Sequence, residues 1–403
     1  MPSYRFNKPY YNVAPEANDV TLEEAHNVYF EAMPSGGFAI RRRPGTILLS
    51  AQEGRLGQGL HWSDSSESLF VISAGKVVKY KDYNAAGENI GEVSGKTLPV
   101  VFAGGQKVNA DLITYIASGG KLNYIDFLTN TIGTPTDVDT PFSSSIACMN
   151  NRFYANMLNH NQDFVITDYN PDPAVKVLDP LYWSSTSNPF RTAQKPDPLV
   201  GIYTGWNEMY LWGSQACEVW QEDGITPISP LVGSIVEAGL AAPYSVVMAN
   251  NTLFALSTIA GKTAVISIQG RSPQVLSEAI AKQLQAITPV YDAIGSLCFV
   301  GGLNLYVLTF PTANQTWVYD FKSDVWSQWS QWDIDLALHN RFAGIFGTFA
   351  KGWNKHVILS SPGDLLEYQE TYSQIMALLS SPQFAQVGLT MALGTESAAI
   401  NLL

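Results

Sequence analysis

An all-β fold, a β-propeller of six or seven blades, is what this sequence predicts, on three observations. An apolar strand, a short turn and a second strand recur as a unit seven times along the 403 residues. The copies start 40 to 56 residues apart, near the per-blade period of propellers. Gly, Pro, Asn, Ser and Thr are scattered throughout, which favours many short strands and turns over long helices. A sandwich of generic hairpins would share the alternation. Radial closure, however, removes the exposed edges that seven loose hairpins would leave.

Taken in order, residues 1–57 read as an extended N-terminal arm and the first strands. The arm is rich in Pro, Asn and Tyr, and the stretch 38–49 (FAIRRRPGTILL) gives two strand pieces around Pro44 and Gly45. The propeller is expected over 58–370, its seven cores at 68–80, 112–127, 152–169, 208–221, 252–268, 304–321 and 355–369. The sixth is the best formed. Over 303–332, the runs LNLYVLTF, TWVYDF and WSQWSQW are separated by PTANQ and KSDV, which makes a three-stranded meander too small to stand alone. Its tryptophans read as residues packed between blades, and Tyr319–Asp320 followed by Trp326 resembles a kelch-type blade ending.

Two segments depart from the repeat. A long loop insertion is expected at 170–200, because Pro171, Pro173, Pro180, Pro189, Pro196 and Pro198 are too many for internal strands. One amphipathic helix is expected at 272–287. Ser272 would be its N-cap and Pro273 its first turn, with Val275, Leu276, Ala279, Ile280, Gln283, Leu284 and Ile287 on one face. Such a helix is expected to lie on its own propeller. Residues 371–403 form a C-terminal tail rich in Ala, Leu and Ser without clear alternation.

Composition excludes several classes. An apolar fraction of 46% with only 14% charged residues describes a folded, core-rich chain. The net charge of −12, from 35 acidic and 23 basic residues, argues against wrapping nucleic acid, which needs a basic surface. Arg41, Arg42 and Arg43 form the one basic run. It is too small for a DNA grip and reads as a solvated strand or an interface anchor. Cys148, Cys217 and Cys298 lie far apart in apolar runs and read as buried free thiols. No apolar run reaches the roughly 18 residues of a membrane helix, so no membrane insertion is expected.

The residues of chemistry are sparse. The histidines His26, His61, His160, His339 and His356 never fall at metal-binding spacings. There is no GxSxG elbow and no phosphate loop, and the pairs Gly104–Gly105, Gly119–Gly120 and Gly301–Gly302 read as hairpin turns. The sequence thus offers no catalytic, cofactor-binding or metal-ligating set. One alternative survives, a propeller glycosidase or carbohydrate-binding protein. It would draw on Asp163, Asp168, Asp172 and Asp179 beside Tyr182 and Trp183, because sugar sites pair acids with aromatics.

A series of short stretches carries a resemblance. It starts with NVYFE at 27–31, Pro34, Gly36–Gly37 and Arg43-Pro44-Gly45. FVITD at 164–168, DPLYW at 179–183 and KPDP at 195–198 follow, then LWG at 211–213 with Glu218, Trp220 and Gly224, and last the 303–332 blade. In order and spacing these resemble the tail-hub or nozzle (packaged-DNA-stabilisation) proteins of short-tailed bacteriophages, over residues 20–370. The resemblance implies a non-enzymatic virion tail protein made in the bacterial host cytoplasm. It implies a homohexameric ring below the portal and its adaptor, continuing the DNA channel and retaining the packaged genome. Tail fibres or spikes and a distal plug or needle are the further partners it implies. DNA would pass without sequence-specific binding, as an acidic lumen would allow. Family members run longer after the last blade, and residues 371–403 do not match that part.

Overall fold

The computed structural model describes residues 6–7, 20–21, 25–32, 38–51, 56–107, 112–169, 178–183, 190–191, 197–222, 228–333 and 337–369. Seven antiparallel sheets follow one another around an axis and form a seven-bladed β-propeller. Blade 1 spans Gly57–Ser63 to Glu88–Glu92, and blade 2 spans Val101–Gln106 to Thr131–Gly133. Blade 3 runs from Ile146–Met149 to Leu178–Trp183, and blade 4 from Leu199–Gly205 to Ser229–Pro230. Blade 5 runs from Gly239–Leu240 to Ser272–Val275, and blade 6 from Ile294–Val300 to Val325–Gln328. Each of the seven expected cores supplies the two middle strands of one blade.

Those middle strands are apolar on both faces because each blade is sandwiched between two others. In blade 1, Leu69 and Val71 join Val357, Leu359 and Leu365 of the last blade, whereas Phe70 and Ile72 join Ile116 and Ile125 of blade 2. In blade 6, Tyr306, Leu308 and Phe310 meet Phe254 and Leu256 of blade 5, and Leu305 and Val307 turn to Ile358 and Tyr368. One such cluster fills each inter-blade seam. Each fully buried Leu or Phe contributes roughly 1.5–3 kcal/mol. Near the axis the first strands converge closely. A Cβ on Gly57 would sit 2.3 Å from the Ser360 carbonyl oxygen, and one on Gly295 would sit 2.2 Å from that of Ser245.

Blade 7 closes the ring. Its strands Gly344–Ala350, Lys355–Ser360 and Leu365–Gln369 take Gly45–Ser50 from the start of the chain as the fourth strand, Ile47 opposite Glu367 and Thr46 opposite Tyr368. The propeller therefore begins at 45, not 58. The two strand pieces expected around Pro44 belong to different sheets, because Phe38–Arg42 pairs with Val28–Ala32 as a separate hairpin.

Three further expectations change. Within 170–200, Leu178–Trp183 is the outer strand of blade 3, paired along Asp163–Tyr169. An outer strand has a free edge, which is where Pro180 is tolerated. Ser272 does not cap a helix. Ser272–Val275 is the outer strand of blade 5, and only a 3-10 turn at Glu278–Ile280 and a helix at Ala281–Ala286 follow. The apolar face was real, since Leu276, Ile280, Leu284 and Ile287 are buried in the seam of blades 5 and 6. The helical periodicity holds only from Leu276 onward, after the strand Ser272–Val275. Gly104 and Gly105 lie within the first strand of blade 2 rather than in a turn, where a Cβ on Gly105 would strike the Phe153 ring at 2.4 Å. The 371–403 tail lies outside the described residues.

Turns that join first to second strands fall on one face of the disc, and linkers between blades fall on the other. On the first face Asn150–Asn151, Trp206–Asn207, Asn250–Asn251 and Gly301–Gly302 all have positive φ at both positions. This is the tight hairpin turn that matches strand twist.

Candidate functional site

The expected sugar-cleaving carboxylates do not converge. Asp163 and Asp168 stand near opposite ends of one strand, roughly 16 Å apart at a strand's rise. Asp163 is buried beside His160 at 3.5 Å, and Asp168 faces Arg152 at 3.8 Å. Asp179 accepts from the Leu181 backbone N–H at 2.9 Å, holding its own strand. Asp172 lies outside the described residues. Trp183 is fully buried against Tyr115. Among the described residues no group of His, Cys, Asp and Glu is placed to hold a metal.

A cavity of about 310 Å³ opens along the axis between the first strands of blades 2 to 5, lined by Phe102, Cys148, Thr204 and Met248 among others. Its lining side chains are mostly apolar and include no acid and no base. Beside it His61 stacks on Phe102 at 4.9 Å, and burial lowers its pKa to about 4. Burial likewise raises the Cys148 thiol to about 12. Cys217 and Cys298 are the buried free thiols expected, whereas Cys148 is free but only partly buried. Nothing here is poised for nucleophilic chemistry.

The motif residues of the sequence meet one another instead. Asp197 reaches the LWG turn, where it accepts from Ser214 Oγ at 2.6 Å and from the backbone N–H groups of Gln215 and Ala216 at 2.6 and 3.1 Å. Only glycine fits at 213, since a Cβ there would lie 2.3 Å from the Asp197 carboxylate. Glu218 accepts from Trp220 Nε1 at 3.0 Å. These contacts build blade 4.

Asn27 and Arg43 form the most distinctive junction, at the outer strand of blade 6. Asn27 takes a left-handed φ of 54° and donates its backbone N–H to the Gln328 carbonyl at 2.8 Å. Its side-chain oxygen accepts from Ser330 N at 2.8 Å and Arg43 Nε at 3.0 Å. Arg43 also donates to the Ser330 carbonyl at 3.1 Å and lies 5.0 Å over the Phe342 ring. Burial pulls its pKa below the ordinary value. Of the basic run, Arg43 is thus a tie between the arm and the propeller, while Arg42 is exposed. Sequence reasoning placed both motif residues but missed their union and the tie of Asn27 to Ser330, 303 positions away.

The same junction carries a hairpin, Ser330–Asp333 with Leu338–Arg341, inserted between blades 6 and 7. It overhangs a cavity of about 520 Å³ that is completed by Asn314 of blade 6 and by Ser361 and Pro362 of blade 7. Trp332 is 44% exposed here, unlike Trp317, Trp326 and Trp329, which pack within the seams as expected.

The fold is a seven-bladed β-propeller, and the carboxylates singled out by the sequence do not converge among its described residues. The family described as bacteriophage P22 Gp10, beta-propeller, matches residues 19–359. The chain belongs to that family of packaged-DNA-stabilisation proteins, and it is a phage structural protein. No curated protein matches it. Among solved structures, the extracellular domain of a hybrid two-component system from B. thetaiotaomicron is similar at 11% identity and a TM-score of 0.52, covering 80% of this chain and 39% of that one. A virginiamycin B lyase from Staphylococcus aureus is similar at 11% identity and a TM-score of 0.50, covering 81% of this chain and 99% of that one. At such identities the likeness is one of fold alone.

Proposed function

We propose that this chain is the tail hub, or nozzle, of a short-tailed phage. It assembles as a homohexameric ring below the portal and adaptor, holds packaged DNA in place and conducts it during ejection. It works as a virion component without catalysis, after synthesis in the host cytoplasm. The observation that carries this reading is the family match, which runs unbroken from the arm to the last blade. The fold is consistent with it. A closed propeller is stiff, and its linkers and its N-terminal hairpin offer docking elements for adaptor, fibre or spike, and plug or needle. A net charge of −12 suits a conduit that DNA slides past.

Electron microscopy of the purified chain, alone and with a portal–adaptor complex, tests the reading. Six-fold rings seated on the adaptor are expected. A chain that stays monomeric and leaves the adaptor bare would overturn it.

A further inference from the structure

We infer that the axial cavity between blades 2 and 5 is stoppered by the chain's own C-terminal segment, with side chains of residues 375–379 seated in it. This goes beyond the tail-hub reading and stands whether or not a ring forms.

The cavity sets the chemistry of its occupant. Without an acid or a base in its lining, it offers a charged group no partner. An apolar cavity of about 150 Å³ takes one benzene ring, so about 310 Å³ has room for about two apolar side chains. Its mouth lies on the face of the first-to-second turns. Cys148 stands two residues before the turn Asn150–Asn151, Thr204 two before Trp206–Asn207, and Met248 two before Asn250–Asn251. All three line the cavity. Met248 is 40% exposed there, and Phe349, at the same place in blade 7, is 38% exposed. Apolar side chains left open at an apolar mouth mark a surface that is covered by something apolar.

The segment that follows the last strand meets that demand in place, reach and composition. Strand direction alternates across an antiparallel blade. Leu365–Gln369 leaves the turn at 361–364 on the linker face, so it ends on the face that carries the mouth. It is the third strand from the axis, about 10 Å outside the inner one. The next ten residues can reach about 33 Å. Of residues 371–403, 18 are Ala, Val, Ile, Leu, Met, Phe or Tyr, and only Glu396 is charged. So uncharged a stretch gains by leaving water. Its first apolar run is 375–379, IMALL, closed off by Ser380, Ser381 and Pro382. Met and Leu suit an irregular gap, Met above all because its side chain bends to fit. Only side chains need enter. The backbone crosses the open mouth, where water serves its N–H and C=O groups.

Site-specific photocross-linking of the full chain tests this, with p-benzoylphenylalanine in place of Met248. Irradiation, proteolysis and mass spectrometry should find position 248 joined, within one chain, to the peptide that holds 375–379. The same probe at Val232, exposed on the linker face, should capture nothing from 371–403. Leu378→Asp with Leu379→Asp brings charge to a cavity that cannot pair it and should lower the yield about ten-fold. Leu378→Met with Leu379→Met should keep it. Should the Met248 replacement fail to fold by circular dichroism, the probe at half-buried Thr204, on the same mouth, decides. No cross-link to 371–403, a cross-link only between two chains, or a yield that the two aspartates leave unchanged would overturn the inference.

Discussion

Arg43 carries a charge into a half-buried place where nothing acidic meets it in the contacts above. It is held by an amide oxygen, two carbonyls and the face of Phe342. Its removal would leave the Asn27 and Ser330 oxygens short of a donor, so Arg43→Ala should cost about 1.5–3 kcal/mol. Arg43→Lys should recover little, because an ammonium cannot fork between both partners. Thermal unfolding of the two variants checks this. His356 makes a different demand. Buried in the seam of blades 6 and 7, its pKa is lowered from 6.5 to about 4 by desolvation. Between those values the unfolded chain binds a proton that the folded one refuses. Stability is therefore full above pH 6.5 and falls as the pH drops toward 4, by up to about 3 kcal/mol from this residue. His356→Phe should flatten the dependence of the melting temperature on pH across that window. An unchanged slope would refute the assignment. Single residues of this kind were the least legible in the sequence. His356 stood in a run, KHVILS, that announces a strand, but nothing local says that a ring from Phe299 and another from Tyr368 will enclose it.

Strands divide into two kinds by how many neighbours they have. Middle strands, covered by a blade on either side, are rich in Val, Ile, Leu and aromatics, and all seven pairs could be read directly. First strands and most fourth strands could not, the exceptions being the tryptophan run of blade 6 and the piece at Gly45–Ser50. Ser229–Pro230, Glu88–Glu92 and Val101–Gln106 border the axis or solvent, and their sequences (SP, ENIGE, VFAGGQ) look like loop. The false start of the helix at Ser272 has the same origin, since an outer strand carries no apolar obligation and its Ser-Pro imitated a cap. A cue was nonetheless present. The paired turn residues of MNNRF, GWNEM, ANNTL and VGGLN mark where four first strands end. Depth in the seam also orders the tryptophans. Trp326 is fully buried and donates to the Leu276 carbonyl at 2.9 Å, so Trp326→Ala should cost about 3–5 kcal/mol. Trp332→Ala, at the surface, should stay within about 0.5 kcal/mol. Denaturant titration of both distinguishes seam from surface.

At the scale of the whole molecule, the ring is held shut by one strand pairing, Gly45–Ser50 on Leu365–Gln369. Leu48 and Leu366 face each other there. A disulfide from Leu48→Cys with Leu366→Cys would close a loop of most of the chain, for which loop entropy allows a gain of about 5–6 kcal/mol. Its oxidised form should melt well above its reduced form, and equal melting temperatures would mean that the pairing does not close the ring in solution. The propeller was readable, as six or seven blades, because repeats declare themselves. Which strand would seal it was not, because the sealing partner sits over 300 positions away and Gly45–Ser50 reads locally as the second half of a hairpin. That separation also has a meaning for the life of the chain. During synthesis, the sealing strand leaves the ribosome ahead of every other strand of the propeller, and its seat is made only after six other blades have emerged. Until then every nascent chain is an open arc with an unpaired edge at each end, the state most prone to wrong partners. A chain interrupted before its last blade can never leave that state, so closure acts as a check that translation has run past residue 369.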